Sequence, residues 1–356
     1  MKKRHIVGLL AILAAVTVTF NGCMSSQSVK EASASVKSTS SESATATAGK
    51  TVIKISDGNP DEHPANVGAR EFKKLIEAKY PDKFSVQIYP NAQLGDDTKA
   101  TQDCAMGNLE MAISSASPLT GMDFALGVFD LPFIVPNDKA ADAIFDGKVG
   151  KEIAAGLDAK GLHLLAYYEN GFREITNSKR EIKTPADLKG LKIRTMENNI
   201  HLAAFKAMGA SPTPLPFSEV FTALQQKTVD GQENPISTIY LNKYNEVQKY
   251  CTITNHLYGP HLMLMSESFW KQLTSDEQKY FTEAAQKSAV LNRKTNRQMC
   301  EDDLKKLKAN GMTITELTDS ERQAFIDDCK PVYNEYESQI GESLVKEFQQ
   351  EVSKYK

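Results

Sequence analysis

From Thr274 to Asn310 the chain contains neither proline nor glycine, and this unbroken stretch restricts the possible folds more than any other feature. Thr274 followed by Glu277 matches a capping box, and Asn310-Gly311 matches a helix C-cap. A helix of about 35 residues extends roughly 52 Å, more than one domain of this size offers. Phe281, Ala284, Ala285, Leu304 and Leu307 give each end an apolar side, whereas Asn292 to Gln298 is polar on every face. A helix apolar at both ends and polar at its middle is expected to bridge two lobes across a gap.

The remainder alternates strand and helix patterns. Thr51 to Ser56 has period two, and His63-Pro64 opens a helix with Ala65, Ala69, Phe72, Leu75 and Ile76 on one face. Strand Phe84 to Tyr89, a helix near Asp97 to Met106 and strand Leu109 to Ser114 continue the series. Leu162 to Tyr168 and Phe172 to Thr176 read as two further strands, and Thr184-Pro185 as a capped helix start. Helices are expected over Ile200 to Met208 and Ser218 to Lys227, either side of a loop with Pro212, Pro214 and Pro216. Strands alternating with helices predict an α/β fold with a parallel sheet covered on both faces.

Two arginines stand where strands should end: Arg173 in Asn170-Gly171-Phe172-Arg173, and Arg194 in Leu191-Lys192-Ile193-Arg194. Ligands of open α/β sheets bind beyond the carboxyl ends of the strands, and a guanidinium fork matches a carboxylate. The pair therefore reads as an anion clamp, with ordinary surface salt bridges as the alternative. A net charge of −3 and a pI near 6.1 offer no basic stripe to displace counterions, so a nucleic-acid partner is not expected. Anions must be held locally, by a few desolvated arginines rather than by a broad positive field.

Lys2-Lys3-Arg4, the apolar run Ile6 to Phe20 and Asn21-Gly22-Cys23 form a targeting segment, residues 1–22 being the signal peptide. Cys23 resembles the lipid-modified cysteine of bacterial lipoproteins, although Phe20 and Asn21 replace the usual leucine and small residue; ordinary secretion is the alternative. Residues 24–50 are almost all Ser, Ala, Thr, Lys and Glu, so 23–50 reads as an anchored cysteine with a flexible tether. A protein so equipped is expected on the outer face of the cytoplasmic membrane, the periplasmic side in a Gram-negative cell, held there by the lipid.

Six strings in one order carry a resemblance: Gln93-Leu94-Gly95-Asp96-Asp97, Asn170-Gly171-Phe172-Arg173, Lys189-Gly190-Leu191-Lys192-Ile193-Arg194, Gly209-Ala210-Ser211-Pro212-Thr213-Pro214, Phe217-Ser218-Glu219-Val220 and Asp230-Gly231-Gln232-Glu233-Asn234-Pro235. From about residue 51 to 335 the chain resembles the substrate-binding subunit of tripartite ATP-independent periplasmic (TRAP) transporters, which capture C4-dicarboxylates, sialic acid and other sugar acids. The resemblance implies a two-lobed, periplasmic-binding-protein-like fold of type II with a central cleft and a long lobe-spanning helix. Lobe I would comprise residues 51–170 and 260–290, and lobe II residues 171–259 and 300–335. The spanning helix would occupy 274–310 and a C-terminal helix 336–356, with hinges near Asn170 to Phe172 and Gly259-Pro260.

By the same resemblance Arg194 forms the main salt bridge to a substrate carboxylate, Arg173 a second contact, Asn234 a polar contact and Phe217 an aromatic wall. Asn59, Asp97 and Ser115 are the implied first-lobe contacts, with Ser114-Ser115 standing where some relatives carry an acid. Asp97 beside Asp96 also suits a helix cap, and Phe217 also suits a core position. Glu197, in Arg194-Thr195-Met196-Glu197-Asn198, adds a polar group suited to sugar hydroxyls. The implied ligand is a small carboxylate, a sugar acid such as a uronate or a C4-dicarboxylate. The implied partners are TRAP membrane permease subunits, and a monomer is expected.

No Gly-x-Ser-x-Gly, His-Glu-x-x-His, P-loop or Gly-x-Gly-x-x-Gly string is present, so an enzyme is not expected, nor a cofactor or a metal. A binding lipoprotein of an ABC importer and a surface lipoprotein without a transport role are the remaining alternatives. Cys104, Cys251, Cys300 and Cys329 allow up to two disulfides in three connectivities, with Cys300 and Cys329 the first pair to consider and free thiols the alternative.

Overall fold

A computed structural model describes residues 49–355. The signal peptide, Cys23 and the tether through residue 48 lie outside the described residues. Among the described residues nine strands form one sheet in the order β2-β1-β3-β8-β4-β7-β5-β6, with β9 pairing with β8. They are β1 (Thr51–Asp57), β2 (Phe84–Tyr89), β3 (Met111–Ser115), β4 (Leu162–Asn177), β5 (Lys192–Thr195), β6 (Ser211–Pro214), β7 (Gly231–Asn234), β8 (Tyr250–Ser266) and β9 (Thr313–Glu316).

The sheet is mixed, not parallel throughout. β1 runs parallel to β2 and β3, and β5 runs parallel to β6 and β7. Between these groups the 16-residue β4 and the 17-residue β8 pair antiparallel along their length, joining two lobes through one ladder. Where the sequence pattern predicts two strands, Leu162 to Tyr168 and Phe172 to Thr176, the structure forms one. Gly171 takes φ +109°, and the ladder shifts register between Glu169 and Gly171 without ending. Arg173 is consequently in mid-strand, not at a strand end.

The helices are α1 (Pro64–Lys79), α2 (Asp97–Ala105), α3 (Asp138–Asp146), α4 (Lys148–Ala154), α5 (Asn199–Ala207), α6 (Val220–Gln225), α7 (Ile236–Leu241), α8 (Glu267–Trp270), α9 (Ser275–Ala309), α10 (Asp319–Ile340) and α11 (Glu342–Ser353). The expected start at Thr184-Pro185 is a 3₁₀ turn, Pro185–Leu188, with Thr184 and Asp187 closing a capping box. α10 runs through Pro331 and across residues 335 and 336, where the expected C-terminal helix begins. The four cysteines within the described residues are free thiols, with Cys300 and Cys329 in separate apolar clusters.

On one side of the first lobe, Ala65, Ala69, Phe72 and Ile76 of α1 pack with Ile53, Val86 and Phe281 of α9. Across the sheet, Phe129, Phe145, Leu262 and Phe348 of α11 form a second cluster, Phe129 meeting Phe348 edge-on at 5.7 Å. The second lobe has two further clusters, one around Ile193 and Phe205, the other around Val220 and Ile239.

The 35 residues of α9 begin and end as the caps predict, with Thr274 and Glu277 exchanging hydrogen bonds and Asn310 as C-cap. Its polar middle has a different cause from the expected one. Asn292, Arg293 and Asn296 are buried against β4 rather than spanning an open gap. Asn292 Oδ1 accepts the Glu169 N–H at 2.7 Å, and Asn296 Nδ2 donates to Glu169 Oε1 and to Asn170 O, each at 3.0 Å. Arg297 adds a 2.7 Å bond to Glu169 Oε2. Polar side chains here satisfy the irregular backbone of β4, whose buried N–H and C=O groups would otherwise lack partners.

Candidate functional site

Arg194 is the third residue of β5, flanked in parallel register by Thr213 of β6 and Gln232 of β7. It is 2% exposed. Nε and Nη2 both donate to the Leu215 carbonyl, at 2.9 and 2.5 Å, which fixes one edge of the guanidinium. The remaining nitrogen, Nη1, is buried with no hydrogen-bond partner among the described residues. Burial lowers the Arg194 pKa to about 10, so the group is cationic at neutral pH yet short of one partner.

Arg194 forms part of the wall of a cavity between the lobes with a volume of ≈ 470 Å³. The expected residues Asn59, Asp97, Ser115, Glu197, Phe217 and Asn234 line the same cavity. The bend after β1, the start of α2 and the end of β3 bring Asn59, Asp97 and Ser115; the second lobe brings the others. Asp97 is not the cap of α2. Asp96 takes that role by accepting the Lys99 N–H at 2.9 Å, while Asp97 Oδ2 accepts the Ser115 N–H at 3.0 Å. Burial raises the Asp97 pKa to about 6 against the opposing bond from Ser115. Asn59 is held by its backbone N–H and Nδ2, which donate to Asp57 Oδ1 at 3.0 and 2.8 Å.

Arg173 lies behind the cavity rather than in its wall. It is 1% exposed and makes a two-pronged pair with Glu233, Nε to Oε2 at 2.5 Å and Nη2 to Oε1 at 2.8 Å. Nη2 also donates to Asn234 Oδ1 at 3.0 Å, and Asn234 Nδ2 donates to Gln232 Oε1 at 2.6 Å. Burial alone would raise the Glu233 pKa, but the Arg173 cation and hydrogen bonds from His256 and Arg173 hold it well below the usual range. Arg173 thus has its charge matched within the protein and orients the Asn234 amide that reaches the cavity.

Asn170, Met196 and His261 also line the space, and the sequence reading assigned them no contact. Asn170 and Met196 lie inside strings already singled out. His261 had its own signal, an isolated polar residue in the apolar run Leu257 to Met265. Asp158, His163 and Glu267 bring donor atoms within 4.8 Å of one another, away from the cavity lining. Asp158 and His163 are joined at 3.0 Å and Glu267 Oε1 meets Lys271 at 3.2 Å, while Glu267 Oε2 is buried without a hydrogen-bond partner among the described residues. Among the described residues no helix is long and apolar enough to cross a membrane.

The family described as "Bacterial extracellular solute-binding protein, family 7" matches residues 55–339. A solute-binding protein of Verminephrobacter eiseniae is 39% identical over 303 residues, covering 84% of this chain and 89% of that protein. The sugar acid binding protein of Advenella mimigardefordensis, solved in complex with galactonate, superimposes with a TM-score of 0.84 at 38% identity, over 86% of this chain and 99% of its own. A TRAP periplasmic solute-binding protein of Shewanella oneidensis with bound succinate gives 0.82 at 32% identity, over 85% and 99%.

Proposed function

This chain belongs to family 7 of the bacterial extracellular solute-binding proteins, the substrate-binding subunits of TRAP transporters, and we propose that it captures a hydroxylated monocarboxylate, a sugar acid, on Arg194. The observation that carries the proposal is the buried, unpartnered Nη1 of Arg194 in the cavity wall. A ligand carboxylate would complete that donor set with a charge-assisted bond in a site largely closed to water. Asn234, oriented by Arg173, and Phe217 would hold the same end of the ligand.

Charge favours one carboxylate over two. Arg173 is already neutralised by Glu233, whereas Asp96, Asp97 and Glu197 line the cavity. A second carboxylate would meet acids there, while hydroxyl groups would donate to them and to the polar edges of Asn59 and Ser115. The galactonate-bound and succinate-bound relatives represent these two ligand types.

Closure of the lobes about the shared β4–β8 ladder, with hinges near 170–172 and 259–260, would seal the bound acid for delivery to the permease. The protein would act without chemistry on its ligand, as a monomer. Lys2-Lys3-Arg4, the apolar run and Gly22-Cys23 support lipidation at Cys23 and an outer-face anchor; Cys23→Ala should then release the protein to the soluble fraction of fractionated cells, and unchanged membrane retention would refute the anchor. The capture reading is tested by isothermal titration of galactonate, erythronate, glucuronate and succinate. Tighter binding of at least one sugar acid than of succinate is expected, and selective succinate binding would overturn the monocarboxylate assignment.

A further inference from the structure

We propose that His261 is a specificity-determining contact whose imidazole hydrogen-bonds a hydroxyl group of the captured acid. The inference rests on the capture reading above and adds a residue that the reading does not use. His261 lies in β8, in register with Ser115 of β3 on one side and Tyr168 of β4 on the other. A backbone held between two ladders gives the side chain a fixed direction. The ring is 3% exposed and lines the same cavity as Arg194.

Its polar neighbours already have partners. His63 Nδ1 accepts the Ala65 N–H at 3.2 Å, which leaves the proton on Nε2 to donate to Thr238 Oγ1 at 3.3 Å. Asn59 is tied to Asp57, and Asn234 to Arg173 and Gln232. By contrast His261 Nδ1 is buried with no partner among the described residues. A buried polar atom left unmatched is costly, and a purely structural filler in this apolar stretch would be better served by an apolar ring. Other buried polar atoms also lack partners, among them His201 Nδ1 and Thr195 Oγ1, but His261 lines the cavity, where an entering ligand can supply one.

The ring's protonation state narrows the chemistry of that partner. Burial, the His63 ring at 5.8 Å and the nearby Arg173 cation keep His261 uncharged at neutral pH. A neutral imidazole has one donor and one acceptor nitrogen. A hydroxyl group complements either nitrogen, whereas a carboxylate complements only the donor, and Arg194 already offers the stronger site for that.

The test compares wild-type protein with His261→Phe and His261→Asn by calorimetry, using galactonate, erythronate, glucuronate and succinate. Monodeoxy analogues of the tightest-binding sugar acid follow. His261→Phe is expected to weaken that sugar acid about tenfold, and one deoxy analogue should bind wild-type protein about tenfold more weakly than its parent. That analogue should bind wild type and His261→Phe with nearly equal affinity, since the same hydrogen bond cannot be lost twice. His261→Asn, smaller and still polar, answers the question if the phenyl ring is not accommodated, and should fall between the two. Equal losses for the parent acid and every deoxy analogue, or no loss, overturn the His261 role while leaving capture intact. Failure of wild-type protein to bind any sugar acid overturns the capture reading, and the His261 role with it.

Discussion

Arg173 and Arg194 are both almost completely buried, yet they occupy opposite electrostatic situations. Arg173, on β4 opposite Leu257 of β8, directs Nε and Nη2 at Glu233 and Asn234, so that its charge faces a carboxylate. Arg194 leans on one carbonyl and retains a buried nitrogen with no partner. The carboxylates repeat the contrast. Glu233 meets a cation and is held well below its usual pKa, while Asp57, near the cavity, has Asn59 on Oδ1 and nothing on Oδ2, and burial raises its pKa to about 7. Charge matched inside the chain supports the fold; the unmatched guanidinium of Arg194, in the cavity wall, is available to a guest. Burial alone does not distinguish these roles, whereas the presence of an opposite charge in contact does.

The contrast can be broken most directly at Arg173. Removing one partner of a buried ion pair is expected to cost about 3–5 kcal/mol, so Arg173→Met should lower stability by that amount in urea unfolding. Adding Glu233→Gln should recover part of the loss; a stable single variant would show that the pair does not support the fold. Arg194→Ala should do the reverse, costing about 2–5 kcal/mol of sugar-acid affinity by calorimetry while leaving the melting temperature unchanged or higher. Wild-type affinity in that variant would remove Arg194 from the site.

Asp57 sharpens the comparison through pH. Its folded pKa is raised from an unfolded value near 3.8, so ionisation opposes folding; stability falls as pH rises from about 4 to about 7 and is unaffected below that window. Asp57→Asn should therefore gain on the order of 2–4 kcal/mol relative to wild type at pH 8 and little at pH 4, measured by denaturant unfolding without ligand. A gain that does not change with pH would show that Asp57 is not protonated on folding. The smallest effect is expected for Arg194→Lys, which keeps the charge but loses the fork, with affinity reduced by about 1–2 kcal/mol. An undiminished affinity there would mean that charge alone holds the ligand.

Much of the fold was legible because its signals are local. The capping box at Thr274 and Glu277, the absence of helix breakers before Gly311 and the apolar face of α1 each depend on residues a few positions apart. The motif strings likewise drew attention to Arg194, Asn234, Phe217 and Asp97, which the folded chain gathers around one cavity. The role of Arg173 was not legible, because its partner Glu233 lies 60 positions away and the two meet only through the register that sets Ile175 opposite Glu233. Nor could the sequence show that β4 continues through Asn170-Gly171 with a shift of register, that the polar middle of α9 serves the β4 backbone, or that His261 Nδ1 lacks a partner among the described residues. Helix caps and apolar periodicity are written in neighbouring residues, but whether a buried polar group is matched depends on strand pairings between distant segments, which exist only once the sheet is assembled.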